Sequence, residues 1–184
     1  MSYDLHLFRP TPGLDAVEEA LSLMEEGDPG PADFAAEGWR RETAGSLRAA
    51  IPALEEVEFD FGGIAEVEGT TPEEARRRWS HVELHTPGGD SGMQVALRDW
   101  RADVALPYWH DGAAAEAAWR EVWTVVGVLG ARGLSAFDPQ LGRILHPAAD
   151  RAEVEALYAD TIRAVRRATD DEAGVERPWW KLWG

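Results

Sequence analysis

Hydrophobic and polar positions alternate at the start of the chain. Tyr3, Leu5 and Leu7 fall on one side of Ser2–Phe8 and polar residues on the other, which predicts a first strand. After the Pro10–Gly13 turn the period lengthens. Asp15 with Glu18 forms a capping pattern, and Val17, Leu21 and Met24 make a helical stripe that stops at Gly27. A second helix is predicted from Phe34 to Ile51, burying Trp39, Leu47 and Ile51. Gly38 and Gly45 weaken it by about 1 kcal/mol each relative to Ala. Val57, Phe59 and Phe61 alternate with Glu58 and Asp60, predicting a short strand that Gly62 and Gly63 end.

Thr71-Pro72-Glu73-Glu74 then reads as a helix start, with a Thr cap, Pro at the first position and Glu at the third. Three apolar alternations, at 81–86, 93–97 and 104–108, predict an antiparallel meander broken by PGGDSG and by a turn near Trp100. Trp119, Val122, Trp123, Val126 and Gly130 line one face of a helix over Ala113–Ala131. Short strands at Leu134–Phe137 and Arg143–Leu145 flank the turn DPQLG. Asp150 is the predicted cap of a last helix that buries Val154, Leu157, Tyr158, Ile162 and Val165. The fold class is therefore α+β: an antiparallel or mixed sheet with a central meander, packed against several helices. Residues 1–168 form one domain in this reading, and 169–184 an acidic linker and Trp-rich tail.

Composition narrows the function classes. The chain has 184 residues, 34 Asp plus Glu against 18 Arg plus Lys, a formal charge of −16, nine Trp and no Cys. A chain of this length buries about 70 % of its unfolded surface without a disulfide or metal staple. Lack of Cys removes thiolate ligands and thiol nucleophiles. The acidity argues against direct nucleic-acid binding, since phosphate affinity comes from Lys and Arg displacing counterions. No signal-peptide core opens the chain, and the longest apolar run, Thr124–Ala131, is short of a membrane span, so a cytoplasmic location without membrane binding is expected. The acidity is also regional. Residues 49–75 carry eight acids and no base, whereas from residue 91 onward the two signs nearly balance.

Four constellations carry candidate chemistry. His81, Glu83 and His85 alternate on one strand face and could ligate a metal in a small metal-dependent hydrolase, although the motif is not HExxH and alternate strand residues lie about 6.6 Å apart. A solvated strand face is the plainer reading, and no cofactor is called for. His110-Asp111 could form an acid–base pair, but Asp111 is better read as a helix cap. The acidic run supplies Glu55, Glu56, Glu58, Asp60, Glu66 and Glu68 as a surface for a basic protein partner. Trp109 and the tail residues Trp179, Trp180 and Trp183 are candidate anchors, because Trp buries a large area and keeps one polar handle. The tail alone could also dock the chain as an accessory subunit.

The stretches MSYDLHLFRP, VELHTPGGDSGMQVAL, VALPYWHDG and LSAFDPQLGRIL, taken together, resemble small acidic, largely uncharacterised bacterial proteins of the immunity or accessory type. The resemblance implies a non-enzymatic protein-binding role, such as an immunity-type inhibitor of a basic toxin or nuclease. It carries no catalytic residues with it.

Overall fold

The computed structural model describes residues 2–25, 34–87 and 92–173. The fold is α+β, with helices packed on a seven-stranded sheet whose pairings are all antiparallel. In chain order the elements are β1 (Ser2–Phe8), α1 (Ala16–Glu25), α2 (Phe34–Ala50), β2 (Glu55–Glu56), α3 (Phe61–Glu68), α4 (Pro72–Arg78), β3 (Val82–His85), β4 (Gln94–Leu97), β5 (Arg101–Pro107), α5 (Gly112–Gly130), β6 (Ser135–Asp138), β7 (Arg143–Ile144) and α6 (Pro147–Ala173). The spatial order is β2-β3-β4-β5-β1-β6-β7, so the predicted meander β3-β4-β5 runs up to β1, which lies between β5 and β6. None of the helices among the described residues is long and apolar enough to cross a membrane.

The pleat sends alternate side chains to opposite faces, and the two faces differ in chemistry. Tyr3, Leu5 and Leu7 of β1, Val95 and Leu97 of β4, and Ala102, Val104 and Leu106 of β5 are buried together against α2, α5 and α6. Trp39 and Leu47 bury from α2, and Ile51 from the residue just after it, as the sequence predicts, and neither Gly38 nor Gly45 interrupts that helix. At about 25 cal/mol per Å² of apolar surface, this face supplies most of the folding drive. The other face is only partly covered. There α1 packs Ala16, Val17, Ala20 and Leu23 on Phe8 and Phe137. Leu21 and Met24, predicted to face inward, are exposed, because Ala20 is the residue small enough to approach the two Phe rings closely.

The predicted strand over Val57–Phe61 does not form. Pairing stops at Glu56, with one further bond from the Val57 N–H to the Glu83 carbonyl at 2.9 Å. The Asp60 carboxylate then accepts the N–H groups of Gly62 and Gly63, each at 3.1 Å, and starts α3. A Cβ on Gly63 would lie 2.7 Å from that carboxylate, so the glycines that looked like a strand break are what admit the cap. The rings meant to alternate instead cluster, with Phe59 5.7 Å from Trp79 and 5.0 Å from His81. The last helix also starts earlier than expected. Pro147 opens α6, and Asp150, within its first turn, accepts the His146 N–H at 2.7 Å rather than capping at its own position. At its other end α6 runs to Ala173. Trp179, Trp180 and Trp183 lie outside the described residues.

Candidate functional site

The uncovered part of the second sheet face forms a groove of about 350 Å³. Its floor is set by register. His6 of β1 pairs directly with Asp103 of β5, and Phe8 with Arg101, so these side chains stand beside each other on the face away from the core. His6 Nδ1 lies 2.7 Å from Asp103 Oδ1, and Arg98 donates its Nε–H to Asp103 Oδ2 at 3.1 Å. Burial alone would raise the Asp103 carboxyl. The hydrogen bond and charge of His6, followed by those of Arg98, overcome that and hold it below the ordinary carboxylate range.

Arg98 and Arg101 sit on either side of a two-residue hairpin, Asp99-Trp100, closed by the Arg98 N–H on the Arg101 carbonyl at 2.9 Å. Trp100 occupies the left-handed region at φ 58°, an unusual conformation for a bulky side chain. Three contacts hold it there. Trp39 of α2 packs on the Trp100 ring at 5.6 Å between centroids, the Arg9 guanidinium lies 5.1 Å from its centroid, and buried Arg40 forms an ion pair with Asp99. The tip is thus clamped from the core side, which fixes the two arginines beside the groove.

The walls are apolar. Ala20, Leu23 and Met24 come from α1, and Trp79 follows α4 on the other side, with Arg78 and His81 next to it. Trp79 is 37 % exposed and donates its indole N–H to Glu68 at 2.9 Å, while Arg78 reaches the other Glu68 oxygen at 3.4 Å. Among the described residues the lining thus gathers Arg78, Arg98, Arg101, His6 and His81 with the one carboxylate of Asp103, inside a chain of charge −16. An Asp-oriented imidazole is suited to holding or moving a proton. Among the described residues the lining holds no Ser, Thr, Cys or Lys side chain.

On its far side Trp79 lines a second, shallower depression of about 330 Å³ with Asp60, Gly63, Ile64, Val67 and Glu68. Val67 is 89 % exposed there. Of the predicted acidic surface, Asp60 and Glu68 reach this depression. Glu66 is exposed on α3, Glu58 is exposed just before it, and Glu55 and Glu56 are exposed on the outermost strand, with Arg48 3.9 Å from Glu56. Trp109 lies elsewhere, exposed in the turn between β5 and α5. The aromatic ring that the fold brings to the acidic residues is Trp79, delivered by α4 rather than by the strand end on which Trp109 stands.

The other sequence candidates separate. His81 Nε2 is 3.8 Å from Glu83 Oε2, but the His81 ring is held between Phe59 and Trp79, and His85 stands opposite Gln94 and Glu55. Among the described residues no three His, Asp or Glu side chains converge as a metal set. Asp111 occupies the N-cap position of α5 but makes no side-chain cap bond; its carboxylate instead pairs with Arg166 at 2.6 Å, the stronger charge partner within reach. Asp138, read from sequence as part of a turn, is fully buried. It accepts the Tyr3 hydroxyl at 2.5 Å and the N–H groups of Gln140 and Leu141 at 2.8 and 3.1 Å, tying the DPQ turn to β1.

His6, Asp103, Arg98, Arg101 and Trp79 were not singled out from sequence. For His6, Arg101 and Asp103 the signal is a polar residue at alternate positions of two strands, and its meaning depends on a pairing between segments about a hundred residues apart. No protein-family model, no curated protein and no solved structure matches this chain.

Proposed function

We propose that the chain is a non-enzymatic protein-binding module, of the kind that inhibits or shields a basic partner, with its recognition surface centred on Trp79. The observation that carries this reading is that Trp79 lines both the cationic groove and the acid-rimmed depression. A half-exposed indole flanked by apolar Val67 and Ile64 and rimmed by carboxylates has the make-up of an interface anchor: a large apolar ring that desolvates, surrounded by groups that select the partner by charge. Basic side chains of the partner meet Asp60, Glu66 and Glu68, while an acidic side chain beside them enters the groove toward Arg101. The alternation of sign across one ring supplies orientation as well as attraction.

The test compares baits. Wild-type chain, Trp79→Ala and the pair Glu66→Lys with Glu68→Lys are immobilised in parallel, and bound proteins are eluted in steps of rising salt. The reading expects a basic protein that leaves the wild-type bait progressively as the screening length shrinks from about 10 Å to about 3 Å, and that neither variant retains. A partner held equally by all three baits, or one indifferent to ionic strength, refutes it.

A further inference from the structure

A second cavity, of about 340 Å³, lies between the start of α5 and the middle of α6, lined by different residues from those around Trp79. Its walls are largely apolar, formed by Ala115, Trp119, Tyr158 and Ile162. Two ring nitrogens of its lining residues, Trp119 Nε1 and His110 Nε2, are buried and have no hydrogen-bond partner. Trp119 is only 3 % exposed. An orphaned buried donor costs about 1–3 kcal/mol, and folded proteins keep few of them. The Trp119 indole can only donate and the His110 nitrogen donates in its Nε2–H tautomer, so a ligand supplying acceptor oxygens would satisfy both.

The surrounding groups do not supply those acceptors. The Tyr158 hydroxyl already donates to the Pro107 carbonyl at 2.5 Å and bonds the His110 backbone. Asp111, which would ordinarily cap α5, is turned to Arg166. Glu155 is taken by the indole of Trp123 at 2.8 Å, and Glu116 is exposed. Asp111 and Glu116 line the cavity together with Arg163 and Arg166, but Asp111 makes no side-chain cap bond to α5, a 19-residue helix whose N-terminal partial positive charge favours an anion.

We propose that this cavity binds a small apolar carboxylate. Its aryl or acyl body lies among Ala115, Trp119, Tyr158 and Ile162, and its oxygens accept from the indole of Trp119 and the imidazole of His110 near the start of α5. The volume is at the lower end of known ligand sites, which sets the size to a short acyl chain or a single ring.

The experiment titrates 3-phenylpropionate and octanoate, and the matching primary alcohols, into the full chain labelled with ¹⁵N. Indole N–H resonances and thermal unfolding are followed, with Trp119 assigned through Trp119→Phe. Either acid is expected to move the Trp119 indole resonance and, at about ten times its Kd, to raise Tm by about 3–6 °C. Trp119→Phe keeps an aromatic ring but removes the indole donor, and should weaken binding about tenfold. Ala115→Leu, which narrows the cavity from the α5 side and leaves the indole intact, should abolish it. Acids that leave the indole resonance unmoved overturn the site. Alcohols that bind as well as the acids overturn the carboxylate assignment, and unchanged affinity in both variants overturns the location.

Discussion

Replacing Asp99 by Ala tests whether the hairpin tip is held from beneath. Arg40 is 3 % exposed and its partner Asp99 is 23 % exposed. The substitution would strand a buried guanidinium, and removing one member of a buried ion pair costs about 3–5 kcal/mol. Water can reach the Asp99 side of the pair, which places this case near the lower end, at about 3 kcal/mol. For a chain of this size that corresponds to a fall in Tm of about 6–12 °C. The urea midpoint should drop by about 1–3 M. Arg40→Met with Asp99→Ala removes both charges and keeps the apolar stem, so the double variant should recover most of the loss. The indole of Trp100, clamped against Trp39, reports the same event by fluorescence. An Asp99→Ala protein within about 0.5 kcal/mol of wild type, or a double variant no more stable than the single, would refute the clamp.

Other outcomes follow from the same structure. Tyr3→Phe should cost about 1.5–3 kcal/mol in urea unfolding, and Asp138→Ala more, because it leaves the Tyr3 hydroxyl and two backbone N–H groups unpaired; equal costs would contradict the assigned network. Burial pushes Tyr158 up to about 12 and raises Tyr3 and Tyr108 as well. Unfolded tyrosines lose their protons near 10.0 while these keep theirs, so stability should be flat below that pH and fall as pH rises from there toward 12, with tyrosinate absorbance appearing together with unfolding. Asp103 works in the opposite direction. Its folded carboxyl is held low, so its contribution is full above the unfolded value of 3.8 and is lost as pH falls through the folded one; Asp103→Asn should flatten that part of an acid titration.

The elements that bury one stripe against a neighbour were legible from sequence. The alternation of Tyr3, Leu5 and Leu7, the spacing of Trp119, Val122 and Val126, and the Thr71 capping box each state a local preference that the fold keeps. Where reading failed, a tertiary contact outranked the pattern. Val57, Phe59 and Phe61 have strand spacing, but Phe59 joins an aromatic cluster with Trp79, and the Asp60 carboxylate over Gly62 and Gly63 starts a helix at Phe61. The acidic residues were visible as composition, but their anchor was not, since Trp79 reaches them only once α3 and α4 fold together. His6 and Asp103 lay further out of reach, since neither strand alone records which residue of the other it will face.

That cross-strand facing also separates two kinds of sequence change. Because His6, Arg98, Arg101 and Asp103 alternate with Leu7, Leu97, Ala102 and Val104, the groove floor can be rewritten residue by residue while the packed interior stays as it is. A drift in ligand preference among descendants of this chain would therefore need no compensating repair underneath, and a mutational library restricted to the outward positions would keep its scaffold. Length is a different matter. A single insertion within β1 or β5 would exchange the two sets, sending imidazole and carboxylate inward and leucine outward at once. Phe8, packed under α1, is the fixed letter on that side; at the groove-floor positions these strands can change letters, but neither strand can gain or lose one.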